Sequence, residues 1–172
     1  ADIFYNTIYR NHSNYGSAVR CTFSRPMLYN NWIEQNQHYY VPPVYFGPGE
    51  SAVSLPACFD FELDYNYFVS NTGETGGAIN VTGADRGTIS NNLFVNNRAY
   101  QADLGTGGEG GAIWFLSKHG APGTVSITGN TFAGNTATNY WAGEQGGAIS
   151  LRPDTGPVVI ANNVMAFNSS GI

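Results

Sequence analysis

Apolar residues and asparagines follow one another along this chain in a pattern that recurs six times. Each copy reads apolar, two variable positions, Asn, one variable position, apolar, two variable positions, Asn. The copies start at Ile3, Leu28, Leu63, Ile89, Ile127 and Ile160. A second motif, Gly-Gly-Ala-Ile, lies between the copies and begins at Gly76, Gly110 and Gly146, with weaker versions at Gly16 and Ser51. Two interleaved repeats predict a solenoid in which each repeat forms one coil.

The spacing between repeats indicates which solenoid this is. The number of residues between successive motifs varies, whereas the spacing inside each motif is constant. A leucine-rich repeat is dominated by Leu and nearly constant in length, and a left-handed hexapeptide helix needs a strict six-residue rhythm. The sequence therefore predicts an all-β fold, a right-handed parallel β-helix of about five to six coils with three short strands per coil and insertions at the turns.

Alternate residues of each predicted strand should point into the coil and stack in columns. The first strand supplies two columns: Val19, Val53, Ile79, Ile113 and Ile149, then Cys21, Leu55, Val81, Phe115 and Leu151. The third strand begins with the column Ile8, Ile33, Phe68, Phe94, Phe132 and Met165. An asparagine amide can satisfy backbone groups at a buried turn and also bond the amide above it. We therefore predict a structural ladder of Asn6, Asn31, Asn66, Asn92, Asn130 and Asn163.

Composition narrows the class of protein. Charged residues make up 11% of the chain and the net charge is −5, against a usual charged share of ~25%. No basic cluster supports nucleic-acid binding, and no run of about 18 apolar residues supports membrane insertion. Little lysine with much Asn, Gly and Tyr favours an extracellular or cell-surface location. Residues 1–172 have the length of a single domain, and because both ends lie in mid-motif, we expect a segment of a longer repeat protein.

Two motifs together carry a resemblance to a known family. Gly-Gly-Ala-Ile combined with Phe-x-x-Asn, at Phe68, Phe94 and Phe132, resembles the repeats of the chlamydial polymorphic outer membrane protein family. The resemblance implies a right-handed, pectin-lyase-like β-helix that acts as an adhesin or an extracellular structural module. The first two coils depart from the pattern, because Gly-Gly-Ala-Ile has decayed there and Ile replaces Phe.

Gly-Glu pairs precede most of the predicted first strands and are the candidate metal site. The acids are Glu50, Glu74, Glu109 and Glu144. Stacked at coil spacing, these carboxylates would repel one another unless they were solvated or bridged by a cation. Oxygen-rich carboxylate clusters suit Ca²⁺. Two interpretations therefore stay open, solvent-exposed turns and a calcium site, and no other cofactor is expected.

A second acidic row is formed by Asp60, Glu62 and Asp64. Their alternate spacing places all three on the outer face of one strand, ~7 Å apart. Glycosidases use two carboxyl groups separated by about 5 to 9.5 Å, so the spacing permits catalysis, but any amphipathic strand with three acids has the same spacing. No Arg or Lys lies near this row in the sequence. We therefore assign no catalytic residue.

Aromatic residues are concentrated in the predicted loops before the first strands. These are Tyr39, Tyr40, Tyr45, Phe46, Tyr100, Tyr140 and Trp141. Loops on a rigid scaffold commonly carry recognition, and amphipathic rings supply contact area. The loops are interpreted either as a surface that binds a glycan or a protein partner, or as covers over the core.

Glycosylation and disulfide formation are two further hypotheses. Sequons begin at Asn11, Asn80 and Asn168. Asn11 and Asn168 occupy asparagine columns and should be buried, whereas Asn80 should point outward and is the candidate glycosylation site. Cys21 and Cys58 lie in adjacent coils, where an oxidising compartment would favour a disulfide, but their register points the side chains in different directions.

The sequence as a whole favours a non-enzymatic structural or adhesive module, including the case of a subunit in a surface filament. Its expected partners are further coils of the same polypeptide, further subunits, or glycans. The alternative is a carbohydrate-active lyase or hydrolase of the pectin-lyase-like kind. An enzyme of that kind should bring acids together with Arg or Lys in one groove.

Overall fold

The computed structural model describes residues 1–13, 16–38, 51–100, 108–116, 123–138, 146–152 and 156–169, which form short strands and turns without a helix. In chain order the strands are β1 (Asp2–Phe4), β2 (Thr7–Tyr9), β3 (His12–Ser13), β4 (Val19–Arg20), β5 (Met27–Tyr29), β6 (Trp32–Glu34), β7 (Gln37–His38), β8 (Val53–Pro56), β9 (Glu62–Asp64), β10 (Tyr67–Val69), β11 (Thr72–Gly73), β12 (Ile79–Thr82), β13 (Gly87–Ser90), β14 (Leu93–Val95), β15 (Arg98–Tyr100), β16 (Ile113–Leu116), β17 (Val125–Thr128), β18 (Thr131–Ala133), β19 (Thr136–Thr138), β20 (Ile149–Leu151), β21 (Val158–Ala161) and β22 (Val164–Ala166).

Parallel pairing joins these strands into four sheets of a right-handed parallel β-helix. Sheet I contains β4, β8, β12, β16 and β20; sheet II contains β1, β5, β9, β13, β17 and β21; sheet III contains β2, β6, β10, β14, β18 and β22; sheet IV contains β3, β7, β11, β15 and β19. The six strands of sheet II number coils 1 to 6 from the N-terminal side. Sheets I to III are the three predicted strands per coil. Sheet IV was not predicted, because its inward positions are small residues such as Gly73, Ala99 and Ala137 rather than a recognisable apolar column.

The predicted columns are the core of the molecule. Ile79 pairs with Val53 and Ile113, and Val81 pairs with Leu55 and Phe115. In sheet III the rings of Phe68, Phe94 and Phe132 are fully buried. Successive ring centroids are 4.8 and 4.7 Å apart with interplanar angles of 3°. Since strands in a sheet are spaced by about 4.8 Å, identical residues in register stack ring on ring.

The asparagine ladder is confirmed and is present twice. The Asn66 side chain donates to Asn92 Oδ1 at 3.0 Å and to the Leu28 carbonyl at 2.8 Å, and the Asn66 backbone N–H donates to the same Asn92 oxygen at 2.8 Å. The second ladder repeats this geometry with Asn11, Asn36, Asn71, Asn97, Asn135 and Asn168. The expected burial of Asn11 and Asn168 is wrong, because each has a described coil on one side only: Asn11 is exposed and Asn168 is half-buried.

The Gly-Gly motif marks a place where the backbone of one coil approaches its neighbours closely. Gly76 has φ +69°, and a Cβ there would collide with the carbonyl oxygen of Ile79. A Cβ on Gly77 would collide with the carbonyl oxygen of Gly111 in the next coil. Glycine is the residue that fits both a left-handed backbone and such an approach, which explains why the motif recurs before sheet I.

The residue before each ladder asparagine turns the chain with a left-handed backbone. Between sheets II and III these residues are Tyr5, Asn30, Tyr65, Asn91, Gly129 and Asn162, with φ between 53° and 67°. Glycine and asparagine adopt this conformation readily, whereas bulky residues seldom do. Two tyrosines therefore occupy a position that the backbone disfavours for them.

Candidate functional site

Large hydrophobic side chains are exposed mainly in the first three coils. Of twelve such residues, three lie in coil 6 and nine in coils 1 to 3, and none of the described residues of coils 4 and 5 is among them. The nine are Phe4, Tyr5, Tyr9, Phe23, Met27, Trp32, Phe59, Tyr65 and Tyr67. We define the aromatic strip as Phe4, Tyr5, Trp32, Tyr65 and Tyr67 around the turn between sheets II and III, together with Tyr9 at the end of β2 and half-buried Tyr29.

The rings of the aromatic strip pack against one another across coils. Trp32 and Tyr67 stack with centroids 5.1 Å apart and an interplanar angle of 16°. Tyr29 meets Phe4 at 6.4 Å and Tyr65 at 5.7 Å in edge-to-face geometry. Both arrangements are favourable for aromatic pairs, and they order the strip although it is exposed.

Two members of the strip stay in an unfavourable backbone conformation without being buried. Tyr5 is 78% exposed and Tyr65 is 48% exposed, and both have positive φ. A left-handed L-residue other than glycine or asparagine costs about 1 to 2 kcal/mol. Burial does not offset this cost for Tyr5. Strained, exposed residues of this kind are found at functional sites.

Polar groups border the rings. The Trp32 indole Nε1 donates to Glu34 Oε2 at 2.7 Å, which fixes the orientation of the ring. The Arg10 guanidinium lies 4.7 Å from the centroid of the Tyr9 ring, and Arg10 Nε donates to Gln35 Oε1 at 2.9 Å.

Asp64 is the carboxylate on the sheet II side of the strip. It accepts hydrogen bonds from Ser90 Oγ and Asn91 Nδ2, both at 2.9 Å. Desolvation, followed by the negative charge of Asp64, raises the pKa of the Tyr29 phenol. Tyr29 therefore presents a neutral O–H at physiological pH.

Of the seven aromatic residues predicted for recognition, the structure describes Tyr100, which is not part of this strip. Tyr39, Tyr40, Tyr45, Phe46, Tyr140 and Trp141 lie outside the described residues. Tyr100 ends β15 in sheet IV, half-buried, with the Arg98 guanidinium 5.7 Å from its ring centroid. Sequence reasoning sought rings in loops and missed those on strands. The missed signal was the aromatic residues that flank ladder asparagines, such as Tyr5 beside Asn6 and both Tyr65 and Tyr67 beside Asn66.

The predicted column of glutamates is wrong for the two members that the structure describes. Thr75, not Glu74, pairs with Glu109, because one residue fewer separates the acid from Gly-Gly in coil 5. Buried Glu109 accepts from Trp114 Nε1 at 2.9 Å and pairs with Arg152 at 2.9 Å. Glu74 lies 3.7 Å from His38 Nε2.

Because of the offset, Glu74 and Glu109 do not stack as the calcium hypothesis supposed, and the calcium site stays a prediction. Glu109 is satisfied by its own hydrogen bond and ion pair, as a buried carboxylate requires. No group of three His, Cys, Asp or Glu side chains that could hold a metal occurs among the described residues. Glu50 and Glu144 lie outside those residues.

Asn80 alternates with the inward Ile79 and Val81, as expected, but it is covered and not accessible to solvent, and glycosylation there stays a prediction. The residue is 2% exposed, and its Nδ2 donates to Thr75 Oγ1 at 2.6 Å. Its Oδ1 accepts from Thr82 Oγ1 at 2.8 Å. An attached glycan would have to replace these bonds, so the geometry does not favour glycosylation at Asn80.

The acidic row lies on the outer side of sheet II beside a groove. The groove has a volume of about 310 Å³ and is lined by Arg25, Pro26, Met27, Asp60, Phe61, Glu62 and Thr88. Arg86 Nε lies 3.0 Å from Asp60 Oδ2. Arginines from coils 2 and 4 therefore reach an acid pair of coil 3. The strand register could have indicated this arrangement, because Thr88 pairs with Glu62 and so places Arg86 beside Asp60.

Both cysteines are buried free thiols. Cys58 Sγ donates to the Cys21 carbonyl oxygen at 3.4 Å. Burial raises the pKa of each thiol, so both are protonated at neutral pH and contribute to the core as small apolar groups.

No family model, curated protein or solved structure matches this chain. In the described ranges, no helix has the length and hydropathy to cross a membrane. The function therefore has to be argued from the aromatic strip and the acidic groove.

Proposed function

We propose that this chain is a non-enzymatic β-helix module of an extracellular or cell-surface protein, and that its aromatic strip is an adhesive surface. The observation that carries the proposal is the concentration of exposed rings in coils 1 to 3, next to coils 4 and 5 whose described residues expose no large hydrophobic side chain. Exposed apolar patches on soluble proteins commonly mark interaction sites. The strip therefore fits contact with another macromolecule, either a further subunit, a different protein or a glycan.

The scaffold beneath the strip supports the same proposal. Asn31 and Asn66 lie directly under the exposed rings, and each is bonded to the coils on both sides. A surface held on such a scaffold loses little conformational entropy on binding. The likeness of the Gly-Gly-Ala-Ile and Phe-x-x-Asn repeats to an adhesin family points in the same direction.

A strip variant tests the proposal. Tyr5→Asn, Trp32→Thr and Tyr67→Thr introduce residues that other coils carry at the same positions, namely Asn30, Thr7 and Thr131. Val164→Thr changes an exposed residue of coil 6 in the same outward column and is the matched control.

Binding is measured by surface plasmon resonance against purified matrix proteins, polysaccharides and the chain itself. The wild type and the control variant should bind at least one member of this panel, and the strip variant should not bind that member. The proposal fails if the wild type binds no member of the panel, or if the strip variant binds every member that the wild type binds.

The second candidate function is carbohydrate cleavage, and the acidic groove is the observation that favours it. Asp60 and Glu62 lie with Arg25 along one groove, and Arg86 pairs with Asp60. This combination of acids and arginines is what an enzyme of the pectin-lyase-like kind would need. Asp60 and Arg86 are 38% and 58% exposed, so the pair also fits an ordinary surface ion pair, which contributes about 0 to 1 kcal/mol.

An assay of product formation separates the two candidates. The chain is incubated with pectin, polygalacturonate and β-glucans, and new reducing ends and unsaturated products are measured. Cleavage that disappears in Glu62→Gln but persists in Glu34→Gln, an acid outside the groove, would favour the enzyme. If product levels equal those of the protein-free blank, the chain shows no cleavage and the binding module remains the proposed function.

A further inference from the structure

The aromatic strip and its border are built from the residue types that protein interfaces favour. Interface centres are enriched in Tyr, Trp, Phe, Met and Arg and depleted in Lys. The strip consists of Tyr, Trp and Phe; Met27 lies beside Glu62 in sheet II, and Arg10 lies over Tyr9. The single lysine of the chain, Lys118, is distant in sequence. This composition favours a protein partner.

Ring geometry favours a protein over a glycan as the occupant. Trp32 and Tyr67 turn one face of each ring toward the other, and Tyr29 and Tyr65 meet edge to face. A sugar chain that stacks along the strip would need a row of open ring faces. The strip instead presents ring edges and separate open faces, and this arrangement suits the side chains of a protein.

Trp32 has an aromatic neighbour on only one of its two ring faces among the described residues. Trp32 pairs with Tyr67 on the coil 3 side and with Thr7 on the coil 1 side. Thr7 is too small to cover an indole and Trp32 is 41% exposed, which leaves its coil 1 face accessible. The ring also donates a hydrogen bond to Glu34. Tryptophan is the best aromatic acceptor for a cation.

Charge around this face is complementary to a cation. Glu34 is half-exposed, and its second oxygen accepts only a long 3.5 Å bond from Gln35. Asp2 and Glu62 are exposed on the neighbouring sheet II side. Coil 1 already contains the same chemistry, because the Arg10 guanidinium lies over the Tyr9 ring and bonds an amide oxygen.

We propose that the aromatic strip docks a protein partner whose arginine side chain lies over Thr7, against the open face of Trp32 and beside Glu34. This proposal rests on the adhesive function above and names the partner of that surface. A guanidinium there is held by the ring face and by a carboxylate oxygen, as at the Trp and Arg hot spots of protein interfaces. Arginine suits the position better than lysine, because its planar group both stacks and forms a fork of hydrogen bonds.

The test uses a defined probe, a short synthetic peptide of alternating arginine and leucine. Parallel probes replace arginine by lysine or by glutamate, and cellohexaose is the glycan probe. Trp32 fluorescence is taken as the difference between the wild type and Trp32→Thr, since Trp114 and Trp141 are present in both. The arginine peptide should change this signal, the lysine peptide should bind more weakly, and the other two should leave it unchanged.

Variants locate the contact. In anisotropy titrations, Trp32→Thr and Glu34→Gln should each weaken the binding of the arginine peptide by about two- to fivefold. Val164→Thr, in the same outward column, and Asp85→Asn, which removes an acid from coil 4, should change the affinity less. Circular dichroism and thermal melting confirm that all four variants fold.

Two results would overturn the inference. Equal weakening by Trp32→Thr and Val164→Thr would show non-specific attraction to an acidic protein. A response of Trp32 to cellohexaose without one to the arginine peptide would make the strip a glycan surface. In that second case the adhesive function still stands, whereas retention of no panel member by the wild type would remove the adhesive function itself.

Discussion

In sheets II and III, coils 1 and 2 place their aromatic residues outside, whereas coils 4 and 5 place theirs inside. In sheet III the inward column reads Ile8 and Ile33 in the first two coils and Phe94 and Phe132 in coils 4 and 5. The outward neighbours are Trp32 in coil 2 but Leu93 and Thr131 in coils 4 and 5. Coil 3 has both kinds, with Phe68 inside and Tyr67 outside.

The contrast separates two uses of stacked rings. The inner stack fills the space between sheets, where each ring removes apolar surface from water and stabilises the fold. The outer rings leave much of their surface in water, and two of the turn tyrosines oppose the backbone preference. Stability accounts for the first set, and the second set is the one that we propose contacts a partner.

The largest expected effect is at the inner stack. Phe94→Ala removes a fully buried ring between two others and should lower the free energy of unfolding by about 3 to 5 kcal/mol. Trp32→Thr on the outside should lower it by less than about 1.5 kcal/mol, the value of one aromatic pair. Urea denaturation measures both changes, and losses of equal size would erase the distinction between the two sets of rings.

The ladder under both sets should show the next largest effect. Asn92→Ala leaves the backbone N–H of Asn66 without its acceptor and removes the side-chain donor to the carbonyl of Leu63. The loss should be about 1 to 3 kcal/mol for each buried group left unpaired. Asn6→Ala in coil 1, where the ladder is exposed, should cost less. If neither variant changes the thermal melting temperature, the ladder does not contribute to stability.

A smaller effect of opposite sign is expected at the strained turn. Tyr5→Asn relieves a left-handed tyrosine and should stabilise the fold by about 0.5 to 1 kcal/mol. The reverse change, Asn91→Tyr at the same position of coil 4, should destabilise by a similar amount. A gain in stability together with weaker partner binding would identify Tyr5 as a residue kept for contact. Destabilisation by Tyr5→Asn would instead give the ring a structural role.

The smallest effect concerns the buried thiols. Their pKa values are raised above the ordinary value of 9.0, so above pH 9.0 the unfolded chain releases these protons before the folded chain does. The stability that the buried thiols contribute is fully present below the thiol pKa of the unfolded state. It is lost as the pH rises through the thiol pKa of the folded state. In reducing buffer, the decline in unfolding free energy above that pH should be shallower in Cys21→Ala/Cys58→Ala. Parallel curves for the two proteins would assign the decline to tyrosines alone.

The repeated coils were predictable because a constant spacing of residues in the sequence fixes which residues share a column in the structure. Leu63 and Ile89 had to share a column once their distance from Asn66 and Asn92 was fixed, and the structure pairs them. Sheet IV was not predictable, because Ala99 and Gly73 carry no apolar signal. Glu74 and Glu109 were misplaced because a one-residue change before Gly-Gly shifts register without altering the visible Gly-Glu pair. The exposed strip was missed because outward positions are unconstrained by the core and only the register brings them together.

The ladder amides bond each coil to the coils on both sides of it, and this has a mechanical consequence. Pulling on the two ends of the chain would load the coils in series, so that the terminal coil detaches while the rest stays bonded. Ladder partners are separated by between 25 and 38 residues, and each detached coil would release roughly 85 to 135 Å of extended chain. Under tension this protein would lengthen in discrete steps whose sizes follow the loops, and each step would leave the remaining coils intact.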